Sequence, residues 1–150
     1  MDVRQKIPNH KHRLSMWPFH KKQVLPPPQN VISGDDRASY STTLDQWEFE
    51  IDGIEFTLSG REFDSRAFGW AREGISTIKR LEAEIDRHVL EALDGWPCDV
   101  ATRHLLSVSM DDYSSEGHLD LAYVGDDSWG DFGVNVIVAD GQVIDSYGGD

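Results

Sequence analysis

The clearest alternation of apolar and polar positions lies between residues 47 and 59. Trp47, Phe49 and Ile51 alternate with Glu48, Glu50 and Asp52, and Ile54, Phe56 and Leu58 alternate with Glu55, Thr57 and Ser59. Period 2 on both arms predicts two strands, each with one buried and one wet face. Asp52-Gly53 between them is the Asx-Gly pair that suits a two-residue turn with positive φ at both central positions.

The period then changes. Ala71, Ile75, Ile78, Leu81, Ile85, Val89 and Leu93 recur at spacings of three and four, the stripe of one amphipathic helix. Arg87 and Glu91 stand at i,i+4 on its opposite side. Gly69 and Gly74 weaken the first turn, so the regular helix is expected from near Ser76, a credible N-cap. Gly95 and Pro97 end it.

Period 2 returns in the last third. His104 to Met110 reads as a strand, followed by a polar loop from Asp111 to Gly117. Leu119, Leu121 and Tyr123 then alternate with Asp120 and Ala122. A second loop, Gly125 to Asp131, leads to Phe132–Val138, and Asp140-Gly141 repeats the hairpin signature before a closing strand, Gln142 to Tyr147. The order ββ-α-ββββ predicts an α+β fold in two layers, a mostly antiparallel sheet of about six strands with one main helix on one face.

Ahead of residue 40 no apolar period is sustained. Residues 1–39 read as a basic, Pro-containing flexible tail, in which Pro26-Pro27-Pro28 favours extended polyproline, and residues 40–150 as a single acidic domain. Met16, followed by Trp17-Pro18-Phe19-His20-Lys21-Lys22, is an alternative start. A chain of 150 residues suits one domain with a real core.

Charge divides the chain more sharply than its net −13 suggests. Arg4, Lys6, Lys11, Arg13, Lys21 and Lys22 face Asp2 alone in residues 1–33, whereas residues 34–150 hold the other eight cations against 26 carboxylates. After Arg103 there is no Lys or Arg, but ten Asp or Glu follow. Such a field repels nucleic acid and anionic membranes and steers basic partners inward. No apolar run approaches the roughly 18–20 residues of a membrane helix, and the basic N-terminus lacks an apolar segment of the secretory kind. The expected location is the cytoplasm. The single cysteine, Cys98, excludes an intramolecular disulfide and a Cys-based zinc site.

Two loops hold the densest candidate chemistry. Asp111, Asp112 and Glu116 lie in an oxygen-rich run whose Gly117 sits where a calcium loop turns, but the twelfth position from Asp112 is Tyr123, not a bidentate Glu. Asp126, Asp127 and Asp131 surround Trp129, a residue type favoured in binding hot spots. His88 falls beside the helix stripe. His104 and His118 start consecutive strands, which places them at opposite ends of a hairpin. No Ser-His-Asp or Cys-His set and no Gly-rich phosphate loop is identifiable by spacing.

The run Tyr123-Val-Gly-Asp-Asp-Ser-Trp-Gly-Asp-Phe-Gly-Val-Asn-Val-Ile-Val, with Asp140-Gly141 and the ending Tyr147-Gly-Gly-Asp150, resembles small acidic bacterial domains of unknown function, some of them immunity-protein-like. The resemblance spans residues 45–150 loosely and implies no functional residue. The resulting expectation is a non-enzymatic binding protein, of immunity-inhibitor type, whose partner-binding residues Asp126, Asp127, Trp129, Asp131, Asp111, Asp112 and Glu116 engage a basic protein. It calls for no cofactor and no metal, for no nucleic acid or membrane span, and for a monomer or weak homodimer. The alternatives are a metal-dependent hydrolase using both acidic loops, and a structural subunit pairing through the edge strand Gln142–Tyr147.

Overall fold

The structure, a computed structural model, describes residues 25–150. Strands β1 (Val31–Ser33), β2 (Asp36–Ser41), β3 (Gln46–Ile51) and β4 (Ile54–Ser59) are followed by helices α1 (Ala67–Arg80) and α2 (Glu82–Ala92). Then come β5 (His104–Ser109), the short α3 (Tyr113–Glu116), β6 (Leu119–Val124), β7 (Gly133–Ala139) and β8 (Gln142–Gly149). The eight strands form one sheet in the order β1 to β8. Every neighbouring pair is antiparallel except β4–β5, which is parallel and joined through α1 and α2.

This overturns the expected six-stranded sheet in the order ββ-α-ββββ: the sheet is mixed, has eight strands and is accompanied by three α-helices. The two extra strands precede the first expected one. Val31↔Ala38 and Ala38↔Phe49 pair in register, so the sheet begins ahead of the tail boundary expected at residue 39. Their sequences show no alternation because β1 is an edge of three residues and only Ala38 of β2 is fully buried. Pairing with β3 makes them strands, not their own pattern. Residues 1–24, and with them the start at Met16, lie outside the described residues.

The single expected helix is two. The stripe is continuous, but the chain leaves helical geometry at Leu81 (φ −94°, ψ 10°), where α1 ends and α2 begins. Nor does α1 wait for Ser76. It starts at Ala67, because the buried Ala67 and Phe68 add an apolar turn ahead of the stripe. Gly74 is used for proximity, since a Cβ there would stand 2.9 Å from Leu119 Cδ1 on β6. Its absence lets α1 lie close to the sheet.

The core lies between the helices and one sheet face. Trp47, Phe49, Phe56, Val108, Leu121, Tyr123, Val134 and Val136 come from the strands, and Phe68, Ala71, Ile75, Ile78, Ile85 and Val89 from the helices. Both Asx-Gly turns form as expected, with Asp52 and Asp140 at φ 50° and 51° and the glycines after them at 78° and 70°. No described helix is long and apolar enough to cross a membrane.

Candidate functional site

The two acidic loops do not meet. Asp111, Asp112 and Glu116 precede β6, while Asp126, Asp127, Trp129 and Asp131 follow it, so the strand itself separates them. At about 3.3 Å per residue that is a gap of about 17 Å. A hydrolase needing both sets of carboxylates at one ion is incompatible with this arrangement. Among the described residues no group of three His, Cys, Asp or Glu side chains is placed to hold a metal.

Within each loop most of the named residues serve the fold. Trp129 is buried, 3% exposed, and its Nε1 donates to the Asp99 carbonyl at 2.8 Å. It is therefore no exposed anchor for a partner, and that expectation is corrected. The indole lies against Gly125, and its burial removes more apolar surface than a solvent-facing ring would. Asp126 caps the turn Asp127–Trp129 by accepting from the Ser128 amide at 3.0 Å, and the Ser128 side chain holds its carboxyl below the usual carboxylate range. Asp111 accepts from Ser59, and Glu116 lies 3.3 Å from His118 Nδ1. Asp112, Asp127 and Asp131 are exposed.

The histidines are apart, as their spacing implied. His104 pairs with Val124 at one end of β6, and His118 stands at the other. His88 Nδ1 lies 3.2 Å from Ser146 Oγ on β8.

What the structure assembles instead is a surface no local motif announces. The helices cover one face of the sheet, and strand residues of the other parity face away from them. Read across neighbouring strands, one rank runs Ser39↔Glu48, Glu48↔Thr57, Thr57↔Ser109, Ser109↔Asp120, Asp120↔Ile137 and Ile137↔Asp145. Three carboxylates are thus strung over seven strands, separated by hydroxyls and one isoleucine. Beside this rank Glu50 stands directly opposite Glu55. Among the described residues no helix covers this face, and of its strand residues Arg37 is the cation set against Glu48, Glu50, Glu55, Asp120 and Asp145.

The β6–β8 end of the face is held by hydrogen bonds. Asn135 Nδ2 donates to Asp120 Oδ1 at 2.7 Å, and the Tyr147 hydroxyl donates to Asp120 Oδ2 at 3.2 Å. Burial and the negative charge of Asp120 push the Tyr147 phenol up. Sequence reasoning missed this cluster because residues 120, 135 and 147 share a surface only through strand register. The usable signal was the polar half of each alternating strand.

Compared with known proteins, the chain matches no family model, no curated sequence and no solved structure.

Proposed function

We propose that this protein binds an extended, basic segment of a protein partner across the sheet face opposite the helices. The observation that carries the reading is the rank Glu48–Thr57–Ser109–Asp120–Ile137–Asp145. Strands lie about 4.8 Å apart, so Glu48 and Asp120 stand about 14 Å apart, and Asp120 and Asp145 about 10 Å. An extended chain advances about 3.3 Å per residue and turns every second side chain to the same face, so cations four residues apart, about 13 Å, lie on one side and reach all three carboxylates within the span of a lysine side chain. The like-charged pair Glu50–Glu55 supports the same reading, because its two carboxylates share with Glu48 a depression in which Arg37 is the cation, leaving that patch net negative. An immunity-type inhibitor, as the sequence resemblance implies, is one protein of this kind.

The test is a binding titration with a serine-rich peptide carrying three lysines, each four residues from the next. Glu48→Gln/Asp120→Asn/Asp145→Asn weakens it about tenfold. Asp126→Asn/Asp127→Asn/Asp131→Asn, which removes the same charge from the loop, leaves it nearly unchanged. Equal losses in the two variants reduce the effect to net charge and overturn the assignment of the face.

A second reading has its own observation. Among the described residues β8 is an edge strand of eight residues, whereas the opposite edge, β1, has three. Self-pairing through β8 is the corresponding proposal, and sedimentation tests it: a 17 kDa monomer at all concentrations removes it.

A further inference from the structure

The parallel junction leaves an opening. β4 and β5 pair only at Phe56↔Val108 and Thr57↔Ser109, so their first residues, Ile54 and His104–Leu105, are not joined across the gap. β5 is also irregular between Leu105 and Ser107. Above this gap the helix layer is interrupted at Leu81. The result is a cavity of about 500 Å³ between the strand starts and the helices. Its volume is in the range of small-molecule sites.

The lining has two parts. Ile54, Ile75, Ile78 and Leu105 give it apolar walls. Its mouth carries Glu82, Asp86, Arg103 and Lys79. Arg103 takes up both carboxylates, with Nη2 on Glu82 at 2.7 Å and Nε on Asp86 at 2.8 Å. Two donors of the lining stand apart from this network. Lys79 enters no ion pair among the described residues. Tyr123, 2% exposed and on the cavity wall beneath the Arg103 guanidinium, has a hydroxyl with no hydrogen-bond partner. A buried hydroxyl left unpaired is costly, and a bound acceptor is one way to complete its bonding.

We propose that this cavity binds a small molecule with a hydrocarbon tail and a carbonyl-type acceptor head, carboxylate or carboxamide. The tail lies among Ile54, Ile75, Ile78 and Leu105, and the head is turned towards Lys79 and the Tyr123 hydroxyl. An ammonium head fits less well, since one oxygen of each carboxylate that would receive it, and part of the charge, is already taken by Arg103. This site is separate from the sheet face and does not rest on the partner-binding reading.

The experiment is an amide-resolved NMR titration of the whole chain with octanoate, octanamide and octylamine, three probes with one tail length. Saturable shifts at Ile54, Ile78, His104 and Leu105 are expected with octanoate or octanamide and not with octylamine. Lys79→Met weakens octanoate about tenfold while sparing octanamide, which separates the two heads. Ala101→Phe, at an exposed rim position, fills the mouth and abolishes the shifts in a protein whose core spectrum is otherwise unchanged. Equal responses to all three probes overturn the choice of head group. The absence of saturable shifts with any of them overturns the site.

Discussion

Asp111 accepts two hydrogen bonds from Ser59, one from the backbone amide at 2.6 Å and one from the hydroxyl at 2.9 Å. Ser59 ends β4 and Asp111 follows β5, so this carboxylate fastens the parallel junction at the end where the strands touch. Parallel pairing there spans only two positions, and the Met110 amide adds one more bond, to the Thr57 carbonyl at 2.9 Å. Asp111→Ala is expected to lower stability by about 1–2 kcal/mol, the worth of two charge-assisted bonds at an exposed site, and Asp111→Asn by less. Urea midpoints measure both. An unchanged midpoint for Asp111→Ala would mean that the junction does not depend on this link.

Trp129 belongs to the core, so its substitution is read in stability. Trp129→Ala is expected to cost about 3–5 kcal/mol, and Trp129→Phe, which keeps the ring but loses the bond to Asp99, less. Gly125 provides an independent check, because a Cβ there would fall within the indole. Gly125→Ala should therefore lower the unfolding temperature although it adds one methyl group. A wild-type unfolding temperature for both Gly125→Ala and Trp129→Phe would show that the indole is not held as described.

The facing pair Glu50–Glu55 makes the opposite prediction. Replacing one of two like charges that face each other across strands relieves repulsion, so Glu55→Lys should raise stability by about 0.5 kcal/mol. The same change should weaken binding of the basic peptide. A variant that is more stable and less able to bind separates a functional surface from a structural one. Denaturant midpoints and the peptide titration give the two readings.

Tyr123 sets a limit at high pH. Burial pushes its phenol up to about 12, against 10.0 for an unperturbed tyrosine, while nearby Arg103 opposes part of the rise. Above pH 10 the unfolded chain loses this proton and the folded chain keeps it, so stability falls as pH rises from about 10 to 12. Ultraviolet titration should show one tyrosinate appearing near pH 12, absent in Tyr123→Phe. The variant should also lose stability less steeply across that window.

At low pH the relevant link is Asp36 with Arg72, bidentate at 2.6 and 2.8 Å, which ties β2 to α1. The hydrogen bonds from Arg72 hold the Asp36 carboxyl below its usual value. The contribution is complete above the ordinary carboxylate range and is lost as pH falls through the depressed folded value. The stability difference between wild type and Asp36→Asn should therefore shrink on acidification. A difference constant from neutral pH to pH 2 would exclude the pair as a contributor.

Local periodicity in the sequence determined the Trp47–Ser59 hairpin, the apolar helix stripe and the closing hairpin at Asp140-Gly141, because those features depend on neighbours a few residues apart. The sequence also marked where cations stop, at Arg103. Tertiary structure decided the rest. Val31–Ser33 and Asp36–Ser41 are strands because β3 pairs with β2, and β2 in turn with β1. Trp129 turned inward because the Asp99 carbonyl receives its Nε1–H and Gly125 leaves room for the ring. The carboxylate rank from Glu48 to Asp145 exists only through five strand registers, one of them parallel across two helices, and a shift of one residue in any of them would turn its members to the other face.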